Sequence, residues 1–358
     1  MTSRSRHYLN QLLAISSLTG HEKQIADMTE ALCAELVGAP NVVRVGHTVM
    51  ASLIVNPAYE TIILAGHLDT VNSVNQFHGQ ELSGKLYGLG TSDMKGGDAV
   101  IFALLEHFST HSPHYNLRCI FYDREEGPYL ENGLGPFMEQ YGAELQTAQL
   151  AICLEPTSNR VQIGCLGTLH ALVVFHGVRA HSARPWLGVN AIHRASQLLT
   201  ALAVCNPVDY RFGELCYREV LSATTAEFSG ARNIVPDRFA LNLNYRFAPG
   251  KSTDQACAEL EAFARKHGAD EVIFTDVSPS GNVALDNPAI QELISLSQAA
   301  AEAKQAWTDV ARFAALGIDA INFGPGIPEM AHKENEYIEL DALERNYAVM
   351  VRFLAGGS

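Results

Sequence analysis

From about His7 to Leu36 the apolar positions recur at helical spacing, with a break at Ser16-Ser17-Leu18-Thr19-Gly20. This pattern predicts two helices, the second starting between Thr19 and Glu22. Short apolar runs then alternate with helical patterns. Thr61–Ala65, Leu117–Tyr122 and Leu150–Leu154 read as strands, and Asp98–Phe108 reads as a helix. Continuous apolar strands separated by helices predict a largely parallel sheet with helices on its faces.

Near Gly167 the pattern changes. Leu169–Phe175 reads as a strand, Asn190–Val204 as an amphipathic helix, and Val220–Phe228 and Phe239–Arg246 as strands. Thr253–Lys266 follows as a helix and Glu271–Asp276 as a last strand. The order β-α-β-β-α-β is that of a ferredoxin-like unit. Phe239, Leu241, Leu243 and Tyr245 alternate with Ala240, Asn242, Asn244 and Arg246. One sheet face should therefore be buried and the other polar, free to meet a ligand or partner. After Asp276 the first pattern resumes, with a helix over Pro288–Ala303, a strand over Ala320–Phe323 and a closing helix over Asp341–Leu354. Asp341 and Glu344 are spaced as a variant of the capping box. The predicted fold class is α/β: one domain built from residues 1–166 and 277–358, interrupted by a smaller α+β domain over 167–276.

Composition narrows the function classes. The 358 residues are too many for most single cores, which agrees with two domains. A hydrophobic content of 47% fits a globular protein. The net charge of −14 argues against a general nucleic-acid binder. No apolar run reaches the roughly 20 residues that span a bilayer. The basic start is followed by a patterned helix rather than a signal-peptide core. Seven scattered cysteines without a C-x-x-C pair read as free thiols in a reducing cytoplasm.

Candidate chemistry lies just past the predicted strands. His67-Leu68-Asp69 follows the first, Glu125-Glu126 the second and Glu155 the third, while His332 lies in a loop after the last. Asp93 sits on the glycine-rich turn Gly88–Gly97 ahead of a helix. That turn lacks the spacing of a phosphate-binding P-loop. Each residue alone reads first as a polar strand end or a solvated turn. Together they could converge on the crevice at the carboxyl ends of the strands. His67, Asp93, Glu126, Glu155 and His332 are a carboxylate-rich, thiol-free set suited to zinc, cobalt or manganese. Asp93 could bridge two cations, and Asp69 could brace His67. Of the adjacent Glu125 and Glu126, one can bind a cation while the other acts as a base. In the inserted domain His181 could donate to an oxyanion. Arg184, Asn233 and Arg246, with Arg312 further on, are polar or cationic groups suited to carboxylates.

The motifs Gly66–Val71, Gly90–Gly96, Glu125-Glu126, Glu155-Pro156-Thr157 and the late His332 resemble, in order and over nearly the whole chain, those of the zinc-dependent aminoacylase/carboxypeptidase family of metallohydrolases. The resemblance implies a di-zinc exopeptidase-like catalytic domain with an inserted ferredoxin-like lid that forms a homodimer. It further implies two Zn2+ per subunit, with Co2+ able to substitute. His67 and Glu155 would hold one ion, Glu126 and His332 the other, and Asp93 both. Glu125 would be the general base and Asp69 the support of His67. His181 would reach the partner subunit's active site, and Asn233, Arg246 and Gly324 would bind substrate.

Further segments narrow the resemblance to the actinobacterial desuccinylase branch of that family. They include Arg179–Gly188, Asn233–Asp237, Asn244–Pro249, Trp307–Phe313 and Asn322–Gly326. The implied substrate is the small molecule N-succinyl-LL-2,6-diaminopimelate. Deacylation of N-acetylornithine or a carrier-linked lysine is the nearest rival, and a degenerate family member that only binds ligands is the non-enzymatic one.

Overall fold

A computed structural model describes residues 3–72, 78–228 and 230–357, so the first two residues of the basic start lie outside it. The chain divides into two compact units, residues 1–164 with 281–304 and 308–358, and residues 165–280 with 305–307.

The first unit is built on an eight-stranded sheet. At its centre Asn116–Tyr122, Thr61–His67, Leu150–Pro156 and Ala320–Gly324 run parallel in that spatial order. All four are buried along their length, which is why their sequences are continuous apolar runs rather than alternating ones. The antiparallel hairpin Val42–Val45 and Thr48–Leu53 extends one edge, beside Asn116–Tyr122. The apolar pattern had not singled it out.

The helix Lys95–Phe108 starts three residues earlier than its apolar pattern predicts, because Lys95, Gly96 and Gly97 form its first turn. A Cβ on Gly97 would stand 2.3 Å from the Leu154 carbonyl, so only glycine lets this turn lie against the Leu150–Pro156 strand. Lys95 is buried and donates from Nζ to the Leu12 and Ile15 carbonyls at 3.2 and 2.8 Å, tying down the end of the Arg4–Leu13 helix.

Two expectations for this unit fail. The helix predicted over Pro288–Ala303 ends at Ser297, where Gln298 takes a left-handed conformation. Glu302–Ala303 instead pairs with Gln162–Ile163 as a short strand. The alanine-rich stretch between has helical propensity, but strand pairing overrides it. The Asp341/Glu344 capping box is also absent. The closing helix, Leu340–Leu354, has no side-chain cap, and Glu344 accepts hydrogen bonds from Ser3 and Ser5 instead.

The second unit is an antiparallel five-stranded sheet in the order Val208–Phe212, Leu215–Phe228, Arg238–Phe247, Gly167–His176, Glu271–Ser278. Without its edge strand Val208–Phe212 this is the ferredoxin-like order. Phe239, Leu241, Leu243 and Tyr245 point into one core with Leu169, Val173, Phe175, Leu198 and Leu260. The helix predicted over Asn190–Val204 is two pieces, Ala191–Arg194 and Ser196–Ala203, with Asn190 capping the first. Thr253–Lys266 matches its prediction and carries a capping box from Ser252 and Gln255. On the other sheet face, Asn242 and Asn244 both bond the His170 ring at 3.0 Å, so that face is partly self-satisfied.

Candidate metal centre

The parallel register brings the ends of the central strands to one level. His67 is opposite Tyr122, and Ala65 is opposite Cys153, each two residues short of His67 and Glu155. Each of these strands is flanked by a paired neighbour on both sides, so the side chains at their ends stand on buried, hydrogen-bonded backbone.

His67 is fully buried. Its Nδ1 lies 3.0 Å from the Asp69 carbonyl, which leaves Nε2 turned toward Asp93 Oδ1 at 3.1 Å. Asp93 Oδ2 lies 3.6 Å from His332 Nε2, and that same nitrogen is 2.9 Å from Glu126 Oε1. Asp93 thus presents one carboxylate oxygen to each of two histidines. His67, Asp93 and Glu126 offer ligand atoms within 4.8 Å of one another.

Asp69 does more than brace His67. Its Oδ1 accepts the Glu125 N–H at 2.9 Å, and its Oδ2 accepts the Glu126 N–H at 3.1 Å and the Thr19 hydroxyl at 2.9 Å. Asp69 therefore holds the glutamate pair with its carboxylate, and His67 with its backbone carbonyl and, at 3.5 Å, with Oδ1. The break in helical pattern at residues 16–20 is what delivers Thr19: its N–H donates to the Thr70 carbonyl, and the Thr70 N–H to Ser17.

The Asp93 turn has its own clamp, which sequence reasoning missed. Glu336 is buried and accepts the backbone N–H groups of Gly90, Ser92 and Asp93 at 2.7, 2.7 and 2.9 Å. Nothing in Glu334-Asn335-Glu336 distinguishes this residue; pairing of Tyr337–Glu339 with Lys85–Gly88 carries it there.

Electrostatics reflect crowded carboxylates. Burial opposes charge on His67, but Asp69 and Asp93 hold its pKa well above the ordinary histidine value. Burial and the neighbouring Asp93 push Glu155 up to about 7. Glu125 is raised well above the usual range by burial and by the like charges of Glu155, Asp309 and Glu126. Glu155 Oε1 is buried without a hydrogen-bond partner. An orphaned carboxylate oxygen on a residue that feels the charges of Asp93 and His67, with Glu126 and His332 beside the other Asp93 oxygen, fits a divalent-cation centre.

The other candidates from the first unit have structural partners. Arg312 is buried, with Nε 2.7 Å from Asp309 Oδ1, its guanidinium donating to the Tyr129 carbonyl and lying 3.8 Å from the Tyr129 ring centre. It braces the segment after Glu126 from inside. Asn132 donates to the same Asp309, at 3.1 and 3.0 Å. At Gly324 a Cβ would stand 2.4 Å from the Glu155 carbonyl, so glycine there permits close contact with the ligand-bearing strand.

In the second unit, Ala180–His181 pairs with Ile234–Val235, and the Ser182 N–H donates to the Asn233 carbonyl at 2.8 Å. This sets His181 beside Asn233. Both are exposed, as is Arg184, whose N–H donates to the His181 carbonyl. Arg246 lines a separate cavity of about 450 Å³ with Leu166, Cys216, Arg218, Val220 and Gln305, and donates from Nε to Asn244 Oδ1 at 3.1 Å.

Residues 63–356 match the model of peptidase family M20/M25/M40. The chain belongs to that family. Its similarity extends to whole proteins. A Mycobacterium tuberculosis protein provisionally named succinyl-diaminopimelate desuccinylase DapE is 36% identical over 346 residues, covering 96% of each chain. The succinyl-diaminopimelate desuccinylase of Corynebacterium glutamicum is 35% identical over 350 residues, covering 96% of this chain and 94% of its own. Among solved structures, the M20 family metallo-carboxypeptidase Sso-CP2 of Sulfolobus solfataricus shares the fold, with a TM-score of 0.81 at 17% identity over 99% of both chains. Every residue of the Asp93 cluster lies inside the stretch matched to the M20/M25/M40 family, from His67 to His332.

Proposed function

We propose that this M20/M25/M40 family member removes succinate from N-succinyl-LL-2,6-diaminopimelate, releasing LL-2,6-diaminopimelate. The observation that carries the chemistry is Asp93 with one oxygen toward each of His67 and His332, beside a Glu125-Glu126 pair hung from Asp69. The names of the relatives at 35–36% identity support the substrate.

In this reading two divalent cations, Zn2+ or Co2+ in its place, would be held by His67 and Glu155 on one side and by Glu126 and His332 on the other, with Asp93 shared between them. When bound, these ions would supply Lewis-acid activation of the water and of the amide carbonyl. Glu125 takes the proton from the attacking water and passes it to the departing amine. Burial and neighbouring like charges raise its pKa, which makes it a stronger base. His181 donates to the developing oxyanion and is supplied by the partner subunit of a homodimer formed through the second unit. Arg184, Asn233 and Arg246 bind the carboxylates of the substrate, with Gly324 at the wall beside Glu155. Arg312 contributes by fixing the segment after Glu126. The reaction is one of the cytoplasm, feeding lysine and cell-wall precursor synthesis.

The test is amine release from N-succinyl-LL-2,6-diaminopimelate with added zinc, with N-acetylornithine alongside. Faster turnover of the succinylated compound supports the proposal. Preference for N-acetylornithine would keep the mechanism and replace the substrate. No turnover of either, with metal bound, would overturn the desuccinylase reading.

A further inference from the structure

Glu22, His47 and Asp123 meet beside the Asp69 brace, and none of them has a part in the chemistry above. We propose that they form a further divalent-cation site, separate from the Asp93 centre. Their ligand atoms lie within 4.8 Å of one another. His47 Nδ1 is 4.0 Å from Glu22 Oε2 and 3.7 Å from Asp123 Oδ2. These separations exceed the 2.7–3.2 Å or so of an N–H···O bond. They are close to the spacing of ligands that each sit about 2.0–2.2 Å from one ion at an open angle.

An independent observation points into the same space. Glu22 is fully buried, and its Oε2 has no hydrogen-bond partner, while Oε1 accepts the Gly20 N–H at 2.6 Å. A buried carboxylate oxygen left unpaired is costly unless something compensates it. Asp123 Oδ1 accepts the Thr48 hydroxyl at 3.1 Å, so Oδ2 is the oxygen turned to His47. Arg124, 40% exposed, reaches Asp123 Oδ2 with Nε at 4.0 Å and Glu131 with its other end at 3.7 Å. Two buried carboxylates and one imidazole, with no thiol, suit Zn2+ or Mn2+. His47 is 31% exposed in its side chain and provides the way in.

The three residues come from different elements. Glu22 directly precedes the helix Lys23–Val37, His47 lies in the turn between Val42–Val45 and Thr48–Leu53, and Asp123 directly follows Asn116–Tyr122. An ion there clips helix, hairpin and strand end together, three residues ahead of Glu126. Glu22 and His47 lie outside the stretch 63–356 matched to the family.

The test counts metal. The protein is loaded with excess Zn2+, desalted and assayed for bound ion, with Mn2+ in a parallel series. His47→Gln should hold one ion per chain fewer than the parent in at least one series and retain amide turnover. Equal counts in both series overturn the proposal. A His67→Asn/His332→Asn double variant loses ions of the Asp93 centre but should keep the His47-dependent one, so the two sites fail separately. Anomalous scattering at the zinc edge and at the manganese edge, from crystals of the unaltered protein loaded with each ion, gives a check free of folding defects. A peak among Glu22, His47 and Asp123 supports the site, and peaks confined to the Asp93 cluster overturn it.

Discussion

The two units hold their candidate residues in different ways. In the first, His67 and Glu155 stand on buried parallel strands, and the backbones carrying Glu125, Glu126 and Asp93 are pinned by buried carboxylates, Asp69 and Glu336. In the second, His181, Arg184 and Asn233 are exposed and are placed by a two-residue strand pairing and single backbone hydrogen bonds. On the proposed reading, the difference separates two tasks. Cation ligands must be fixed to a few tenths of an ångström before anything binds, and only a packed interior with satisfied backbone supplies that. Groups that meet a substrate's outer parts can sit on exposed loops and be ordered by the substrate itself, which costs affinity but not geometry at the metal.

The sharpest break between the two would come from Glu125. Glu125→Gln removes the base while keeping the shape and both N–H bonds to Asp69, so turnover should fall about 10³-fold, within the usual range for a general base. Metal content should stay at the parental value, as measured by atomic absorption. Loss of metal instead would exchange the roles of Glu125 and Glu126. Next in size is His181→Ala, in the second unit. Removing one oxyanion donor lowers turnover by about 10²-fold or more, and here thermal stability and metal content should be untouched because the side chain is exposed. An unchanged rate would take His181 out of the mechanism. Asp69→Asn should weaken metal binding by about 10- to 100-fold, the usual cost of losing the partner behind a metal-binding histidine. Chelator competition measures it, and unaltered affinity would mean that Asp69 serves the Glu125-Glu126 backbone alone.

How much of this was legible in the sequence follows the same division. The convergence of candidate ligands after apolar runs could be read because parallel strands force their ends to one level. The ferredoxin-like order could be read from the change of hydrophobic period near Gly167. Glu336 could not, because its role depends on pairing between Tyr337–Glu339 and Lys85–Gly88, far apart in the chain. Nor could the second task of Asp69: its spacing from His67 suggests one partner, and only the Tyr122–Glu126 crossover supplies the other two N–H groups. The partners of Arg312 could not be read either: the sequence offers a cation, and only contacts between distant segments bury it against Asp309 and Tyr129. The Pro288–Ala303 helix fails for a related reason, since propensity describes a segment alone and the pairing of Glu302–Ala303 does not.

The smallest expected effect tests whether the second unit is as loosely built as its exposed residues imply. Asn244 is nearly buried and joins the Thr168 hydroxyl, the Leu169 carbonyl and the His170 ring, while its Oδ1 accepts from Arg246 Nε. Of the second-unit candidates, Arg246 alone is thus held by a side-chain network resembling those of the first unit. Asn244→Ala frees the guanidinium to sample other rotamers over the cavity it lines with Arg218 and Gln305. If Arg246 orients a substrate carboxylate, KM should rise about three- to tenfold, matching the roughly 1 kcal/mol net worth of a lost hydrogen bond, while kcat moves less. Asn244→Asp, which keeps the Oδ1 acceptor for Arg246, should recover much of the KM. A fall in urea midpoint with no change in KM would make Asn244 a purely structural tie, and would leave Arg246 placed by the strand backbone, as His181 is by its own.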